Sequence, residues 1–472
     1  MNQLHFKKSI IVKRSLAEAF HYISHFENCD QWDSSVKESR KISSGRVGVG
    51  TRFEIIFGFG PFMGPILYEV KKYDENNHLW LYGKGSSYEG EDKISFLKID
   101  ESSTQINYEI DLEFKGFFKV FSNSLKDFIF RFGDRALEDL KRALEVVPPG
   151  PKATFLDSMK DALILPSILN FTKRGHKTGK KRWNPISTYL GGKKVLLTGG
   201  NSGLGRATAL GLAKLGADVT IVSRNEKKNS ETAFLVEEET GHRVQVETRD
   251  LSLLEEVKDL SQKLLKDGDP IDILINNAGA LYNERVVTSE GLEKSFALLL
   301  LSPFVLTQNL LPLLKKNSYS RVINVSSGGM YTQGLKLKGL EMREENYNGS
   351  VAYARAKRGL VTLSEIWSKE WSPDSINVNS MHPGWADTPG VANSLPNFHK
   401  LLESQLRTPE EGADTIIWMA SAPELDQTSG HFFLDRVPRS TVLFPGTRPS
   451  KDLTKKFYDY LKEKARPYLL ES

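Results

Sequence analysis

The chain has 472 residues, of which 39% are hydrophobic and 26% charged, and its formal net charge is +5. This length exceeds one ordinary hydrophobic core, so two domains are expected. The composition is typical of a soluble globular protein, and no apolar run is expected to reach the roughly 18–20 residues that span a bilayer. The N-terminal residues also lack the long apolar segment of a secretory signal.

Charge and cysteine content narrow the range of functions. Residues 151–190 carry eight basic and two acidic side chains, whereas residues 191–472 carry 35 of each. Neither large segment is broadly basic, so we predict no nucleic-acid partner. Cys29 is the only cysteine, which excludes an intramolecular disulfide and suits a reducing cytoplasm. We therefore expect a cytoplasmic protein without a metal site, in which Cys29 is structural or incidental.

Short β-type runs alternate with turns through the first 147 residues. Seven strands are predicted, at Leu4–Lys13, Val36–Ser43, Thr51–Phe59, Pro65–Tyr73, His78–Gly83, Asp92–Ile99 and Thr104–Phe114. Two short helices, Leu16–Ile23 and Asn28–Asp33, follow the first strand. A long helix, Ser122–Val146, has an apolar stripe formed by Leu125, Phe128, Ile129, Phe132, Ala136, Leu137 and Leu140. This order predicts an α+β helix-grip fold, in which a curved antiparallel sheet wraps the long helix and can leave a cavity.

Four short stretches of this segment, 17–23, 31–33, 47–51 and 104–108, resemble the START-like polyketide cyclase/dehydrase superfamily (SRPBCC). The resemblance implies a pocket for an apolar ligand and no particular chemistry.

Pro148–Pro151 ends the long helix and marks a boundary, because proline cannot continue a helix. We predict domains at 1–147 and 193–472, joined by a basic linker at 148–192. Within the linker an apolar helical stretch, Phe155–Phe171, precedes two basic clusters. Residues 155–182 could therefore contact an anionic membrane surface. Alternatively, the helix docks against the second domain and a solvated basic loop follows it.

Apolar strands alternate with helices from residue 193 onward. Six strands are predicted, at Val195–Leu197, Ala217–Val222, Val244–Thr248, Ile271–Ile275, Val322–Val325 and Asn377–Met381. Continuous apolar strands separated by helices predict an α/β Rossmann domain with a doubly wound parallel sheet.

A glycine-rich turn joins the first of these strands to a helix. Such a turn lets backbone amides approach a pyrophosphate, and the helix N-terminus favours its negative charge. The predicted contacts are Thr198, Gly199, Asn201, Ser202, Gly203, Leu204 and Gly205.

Four further motifs follow in order, namely 276–279 (Asn-Asn-Ala-Gly), Ser327, Tyr353-x-x-x-Lys357 and Pro383-Gly384. Together with the glycine turn they resemble the short-chain dehydrogenase/reductase family, which implies a nicotinamide-dependent oxidoreductase. Stretches 326–330, 382–391 and 429–436 are similar to its member 12 subgroup. The 26-residue step from Ser327 to Tyr353 also matches that subgroup. Since many members pair through helices of this domain, a homo-oligomer is implied too.

The residues at the ends of the predicted strands indicate which nicotinamide cofactor is bound. Val222-Ser223-Arg224 offers a cation where a site for NAD usually has a carboxylate, so we predict NADP(H). The resemblance further implies that Asp250 and Leu251 contact the adenine, and that Asn277, Ala278 and Gly279 contact the ribose. It also places Ser223, Tyr353, Lys357, Pro383, Gly384 and Thr388 at the cofactor.

Tyr353 and Lys357 lie on one helical face, four residues apart. A lysine ammonium there, helped by the oxidised nicotinamide, would lower the phenol pKa and let Tyr353 exchange a proton with a substrate oxygen. Ser327 would hydrogen-bond the same oxygen. These three residues are the predicted catalytic set.

One position departs from the family pattern. The family has an asparagine that holds a water of the proton relay, where this chain has Leu299, which forms no hydrogen bonds. Asn309 lies nearly three helical turns further on and cannot substitute. Two functions follow, a reductase or dehydrogenase for an apolar substrate with a fused ligand-binding domain, or a catalytically impaired nucleotide-binding lipid sensor or carrier.

Overall fold

A computed structural model describes residues 3–58, 64–86, 88–115, 122–153, 170–184, 186–394, 396–443 and 448–470. The chain forms two compact units. The first comprises Met1–Pro148, Asn184–Tyr189 and Glu238–Gly241, and the second comprises Pro149–Trp183, Leu190–Glu237 and His242–Ser472. Most of the predicted apolar helix of the linker, residues 155–169, lies outside the described residues.

The first unit is a seven-stranded antiparallel sheet in the order β1-β7-β6-β5-β4-β3-β2. Its strands are β1 (Gln3–Val12), β2 (Val36–Lys41), β3 (Arg52–Phe57), β4 (Gly64–Asp74), β5 (His78–Lys84), β6 (Tyr88–Asp100) and β7 (Ser103–Phe114), and its helices are α1 (Leu16–Ser24), α2 (Cys29–Trp32) and α3 (Ser122–Glu145). The predicted helix-grip fold is confirmed.

Local sequence explains these elements. A capping box starts α1, because Ser15 Oγ accepts from the Glu18 amide while the Glu18 carboxylate accepts from the Ser15 amide. Along β5, Leu79 and Leu81 are buried whereas Trp80 between them is exposed. This alternation is typical of an antiparallel sheet with one face on the core. On the outer face His5 of β1 lies close to two carboxylates of β7, with Nδ1 2.8 Å from Asp111 Oδ1 and Nε2 3.7 Å from Glu109 Oε1.

Residues of α2, α3 and five strands line a partly open cavity, whose empty space together with the solvent at its mouth is about 770 Å³. On α3, Ile129 and Leu137 face this cavity, while Leu140 and Leu144 are fully buried beyond it. The apolar stripe predicted for α3 is therefore present at these positions. The side chains of Leu125 and Phe128 lie outside the described residues.

The second unit contains an eight-stranded sheet in the order β10-β9-β8-β11-β12-β13-β14-β15. Its strands are β8 (Lys194–Thr198), β9 (Asp218–Ser223), β10 (Gln245–Thr248), β11 (Ile273–Asn276), β12 (Ser320–Val325), β13 (Ile376–Met381), β14 (Phe432–Leu434) and β15 (Val437–Arg439). All neighbours pair in parallel except β14 and β15. The predicted doubly wound sheet is confirmed, and its strand order reverses direction between β8 and β11.

Ten helices of the second unit connect or flank these strands in the described residues. They are α4 (Lys173–Lys180), α5 (Gly203–Lys214), α6 (Glu226–Thr240), α7 (Leu254–Asp267), α8 (Lys294–Leu314), α9 (Gly349–Glu370), α10 (Pro389–Ser394), α11 (Pro396–Leu402), α12 (Pro409–Ser421) and α13 (Lys451–Ala465). The basic stretch predicted as a loop is thus helical at α4, where Thr172 caps the first turn by accepting from the Arg174 amide.

Helix α8 corrects the expectation that no apolar segment reaches the length that spans a bilayer. It is long and apolar enough to cross a membrane, judged by length and composition alone. Most of its residues are nevertheless buried, and Phe304 packs against Trp367 of α9. A core helix of a folded domain has this character. Its first half includes a π-helical stretch, Ala297–Leu301.

We expect residues 1–147 to fold when expressed alone, since the buried residues of their hydrophobic core all lie between Leu4 and Leu144. Ile129→Glu should destabilise this fragment by about 3 kcal/mol or more, because it places an unpaired charge where Ile129 is buried. Lys126→Glu, at an exposed position of the same helix, should change its stability by less than about 0.5 kcal/mol. Urea unfolding of the two variants measures the difference. Equal stabilities would contradict the inward orientation of Ile129.

Candidate active site

The glycine turn after β8 has a geometry that side chains would prevent. Gly199 has a φ of +69°, a conformation that residues with a Cβ rarely adopt. A Cβ on Gly205 would lie 1.9 Å from the carbonyl oxygen of Gly199. Helix α5 begins at Gly203, so its free N-terminal amides lie at this turn. Asn201, Ser202 and Leu204 complete it and are partly exposed.

Thr198 ties this turn to the segment after β11. Its Oγ1 accepts from the backbone amides of Asn277 (2.9 Å) and Ala278 (3.0 Å). In return, Asn277 Nδ2 donates to the carbonyl oxygens of Thr198 (2.9 Å) and Gly199 (3.2 Å). Both side chains are therefore engaged within the protein, and they shape the backbone that a cofactor would meet. Gly279 follows directly.

Asn229 organises the end of β9 and was missed by the sequence analysis. It is fully buried on α6. Its Oδ1 accepts from Ser223 Oγ and from Asn201 Nδ2, and its Nδ2 donates to the Ser223 carbonyl and to Thr248 Oγ1. Ser223 and Asn201 thus act first as structural partners of Asn229. In the sequence, Asn229 is one polar residue among many in a predicted helix, so no pattern indicated its structural role.

Arg224 lies at the open rim of this region, with its side chain 59% exposed. Its Nη1 is 4.0 Å from Asp250 Oδ2. Burial acts to raise the pKa of Asp250, but hydrogen bonds from Ser252 and the charges of Lys294 and Arg224 outweigh it, so the pKa is lowered. The Leu251 side chain is buried in the core, which leaves only its backbone for a ligand.

The three predicted catalytic residues converge where β12 meets α9. Ser327 hydrogen-bonds the phenol of Tyr353. Lys357 Nζ lies 5.8 Å from the centroid of the Tyr353 ring and donates to the Val325 carbonyl oxygen at 2.7 Å. Asn348 caps the start of α9 by accepting from the Val351 amide, which fixes the helix at this edge of the sheet.

From the sequence we expected Lys357 to help lower the pKa of Tyr353. In the protein without a cofactor, the pKa of Tyr353 is instead raised. Burial raises the pKa of Tyr353, and the hydrogen bond with Ser327 acts in the opposite direction. Burial lowers the pKa of Lys357 to about 8. The lysine therefore does not lower the phenol pKa by itself, because its ammonium is desolvated and bonded to a carbonyl. A lowered phenol pKa requires a further positive charge.

Leu299 lies in the π-helical stretch of α8 and is fully buried. A Cβ on Gly279 would lie 3.2 Å from Leu299 Cδ2 and 3.6 Å from Lys357 Nζ. Leucine and lysine thus approach the same glycine, and the position next to the ammonium is apolar. Asn309 is engaged elsewhere, donating to the Tyr468 carbonyl and accepting from the Leu470 amide.

Arg407 holds the loop after β13 and was not predicted. It is 1% exposed and forms a bidentate ion pair with Asp435, at 2.6 and 2.9 Å. It also donates to the carbonyl oxygens of Pro383, Asn170 and Thr172. The predicted loop residues Pro383 and Gly384, with Thr388 beyond them, therefore follow a backbone fixed by one buried guanidinium.

His382 and Gly384 complete this loop. Gly384 has a φ of +76°, and its amide donates to His382 Nδ1 at 3.1 Å. Burial lowers the pKa of His382 well below its usual value, so the imidazole is neutral near pH 7.

The long step between Ser327 and Tyr353 contains an anchored loop. Arg355 Nη1 donates to the Gly339 carbonyl at 2.8 Å, and Arg285 Nε donates to the Met342 carbonyl at 2.7 Å. The side chain of Met342 is buried. The extra residues are therefore part of the folded unit.

Residues 193–397 match the family described as short chain dehydrogenase, and residues 3–145 match the family described as polyketide cyclase / dehydrase and lipid transport. A dehydrogenase/reductase SDR family member 12 from Bos taurus is 38% identical over 306 residues, which cover 64% of this chain and 96% of that protein. The chain belongs to the short-chain dehydrogenase/reductase family. The resemblance to the member 12 subgroup is thereby confirmed.

Other proteins are similar to this short-chain dehydrogenase/reductase over a shorter span. Retinol dehydrogenase 14 of Mus musculus is 34% identical over 264 residues, covering 52% of this chain and 78% of that protein. The structure of L-sorbose reductase from Gluconobacter frateurii has 24% identity and a TM-score of 0.45, covering 53% of this chain and 98% of that one.

Arg407→Leu should destabilise the protein by about 3–5 kcal/mol, because it leaves the buried carboxylate of Asp435 unpaired. Arg243→Leu, at an exposed arginine, should change stability by less than about 0.5 kcal/mol. Denaturant unfolding of both variants provides the comparison. A loss at Arg407 no larger than that at Arg243 would show that the ion pair does not stabilise the loop.

Proposed function

We propose that this protein is an NADP(H)-dependent oxidoreductase that transfers a hydride between the nicotinamide and a carbonyl or alcohol carbon of an apolar small molecule. Its first unit, we further propose, binds a hydrophobic ligand. The main observation behind this proposal is the convergence of Ser327, Tyr353 and Lys357 at the carboxyl edge of the sheet. The family resemblance to retinol dehydrogenase 14 supports an apolar substrate.

The residues present fit a dinucleotide. The space beside Gly199 and Gly205 has no room for side chains, and the N-terminus of α5 supplies amides for a pyrophosphate. Arg224 is exposed at the end of β9, where it can pair with a 2′-phosphate. Asp250, beside Arg224, accepts from Ser252 and keeps its charge.

The proposed chemistry assigns proton transfer to the protein. Tyr353 gives its phenolic proton to the substrate oxygen during reduction and takes it back during oxidation. Ser327 hydrogen-bonds the same oxygen and orients it. When bound, the nicotinamide supplies or accepts the hydride at the adjacent carbon. Lys357, with a pKa of about 8, is mostly protonated at pH 7 and titrates just above it, so it can exchange protons with its surroundings.

One observation, the apolar side chain of Leu299, favours a second candidate function. Leu299 places an apolar side chain beside Lys357 and Gly279, where the family uses an asparagine for a proton relay. A protein with this substitution could bind nucleotide and a lipid while turning over slowly, as a sensor or carrier. The rate of the purified protein with lipophilic aldehydes and ketones separates the two functions.

Tyr353→Phe should slow NADPH oxidation with a panel of lipophilic aldehydes and ketones at least about 100-fold while leaving NADPH binding intact. The substitution keeps the ring and removes only the proton donor, and loss of a general acid slows a reaction by about 10²–10⁴-fold. Tyr331→Phe, at a tyrosine of the short 3₁₀ helix Gly328–Thr332 that follows Ser327, is the control. A Tyr353→Phe variant with the parent rate would contradict the assignment.

NADPH should bind at least about tenfold more tightly than NADH, or about 1.4 kcal/mol, because Arg224 pairs with the 2′-phosphate. Arg224→Asp should reverse this preference, whereas Arg243→Asp, at a distant exposed arginine, should preserve it. Titration of intrinsic fluorescence with each nucleotide measures both affinities. Equal affinities in the parent protein would exclude the predicted cofactor preference.

Leu299→Asn should raise turnover without changing NADPH affinity, because an amide can hold the relay water beside Lys357. Leu299→Met, which keeps an apolar side chain of similar volume, should leave turnover unchanged. Steady-state kinetics of both variants provide the test. If turnover falls in Leu299→Asn, another group carries the proton, and Ser302 one turn along α8 is the polar residue to examine next.

A further inference from the structure

The cavity of the first unit has a polar end. Most of its lining is apolar or aromatic, but Asp92, Asp33 and three tyrosines also face it. Asp92 and Asp33 are only 5% and 7% exposed. Two acidic groups in an apolar cavity are unusual, because an ionised carboxylate loses its hydration there.

Few groups of the protein compensate the Asp92 carboxylate for the hydration that it loses on burial. Tyr108 donates to its Oδ2 at 3.1 Å, and this is the one hydrogen bond to its carboxyl group among the described residues. An ionised carboxylate can accept about four. Burial accordingly raises the pKa of Asp92 to about 7. Its environment therefore favours a partner that supplies positive charge.

The surroundings of Asp92 contain no such partner in the lining that the structure describes. The titratable groups around it are Cys29 and Asp33 near α2, Tyr68 on β4, Tyr88 on β6 and Tyr108 on β7. All of these are neutral or negative. Arg135, which acts electrostatically on Asp33, is 74% exposed on α3 and does not line the cavity.

We propose that this cavity binds a lipophilic amine, with the ammonium group at Asp92 and Tyr108 and the hydrocarbon chain among the aromatic side chains. This inference rests on the proposed ligand-binding role of the first unit and specifies its ligand class. The ammonium donates hydrogen bonds to the Asp92 carboxylate and replaces its lost hydration. A fatty acid places a second anion beside Asp92 and Asp33, so its affinity is low.

The hydrocarbon chain meets an apolar lining in the cavity. Phe6, Phe57 and Phe132 line it together with Ile110 and Leu112, and a predominantly apolar and aromatic lining is typical of small-molecule sites. Burial of the chain provides affinity for any ligand of this length, charged or neutral. The charged end then discriminates among ligands with the same chain.

Calorimetric titration of the full-length protein with decylammonium, decanol and decanoate tests the inference, since these ligands share one chain. At about pH 8, decylammonium should bind about tenfold more tightly than decanol, and decanoate should bind more weakly than either. Asp92→Asn should reduce the decylammonium affinity about tenfold and leave the decanol affinity unchanged. Glu91→Gln, at the exposed neighbour on β6, should change neither.

The pH dependence gives a second readout that needs no variant. Since the ammonium binds the ionised form of Asp92, the decylammonium affinity should rise from about pH 6 to about pH 8. The decanol affinity should stay flat. Equal binding of all three ligands, tighter binding of decanoate, or a flat decylammonium profile would overturn the amine assignment while the ligand-binding role survives. Failure of all three ligands to bind would overturn both.

Discussion

The hydrogen bonds between Thr198 and the Asn277–Ala278 segment hold together the part of the protein on which the proposed chemistry depends. They join the ends of β8 and β11, where the strand order of the sheet reverses. Ligands of doubly wound sheets bind in the crevice at such a switch point. The glycine turn, the start of α5 and Gly279 all lie along this connection, so its geometry fixes both the proposed pyrophosphate site and the approach to Lys357.

Both units bury an ionisable group that is poorly compensated by the protein. Within the part of the chain that the structure describes, Lys357 has one carbonyl partner and a pKa of about 8, and Asp92 has one phenol partner and a pKa of about 7. Burial explains both shifts, since it disfavours the charged form of either group. Each group is therefore close to titration near neutral pH. Such groups in a cleft or cavity are typical of functional sites.

Sequence patterns predicted the elements whose signal is local. The seven strands of the first sheet, the glycine turn and the Tyr353–Lys357 pair follow from alternation, backbone freedom and helical spacing. β14 and β15 were missed because they have only three residues each. Arg407 was missed because its partners come from separate segments of the chain. The polar end of the cavity was missed because Asp92 falls within a strand, where an acidic residue usually faces solvent.

Transfer of a labelled hydride tests the central claim most directly. The protein is incubated with NADPH deuterated at the transferable position of the nicotinamide and with a lipophilic aldehyde, and the alcohol product is analysed by mass spectrometry. One deuterium is expected at the carbinol carbon, and none within the same reaction time when Tyr353 is replaced by phenylalanine. Binding of NADPH with no deuterated alcohol across a panel of aldehydes and ketones would contradict the claim and favour the carrier or sensor function.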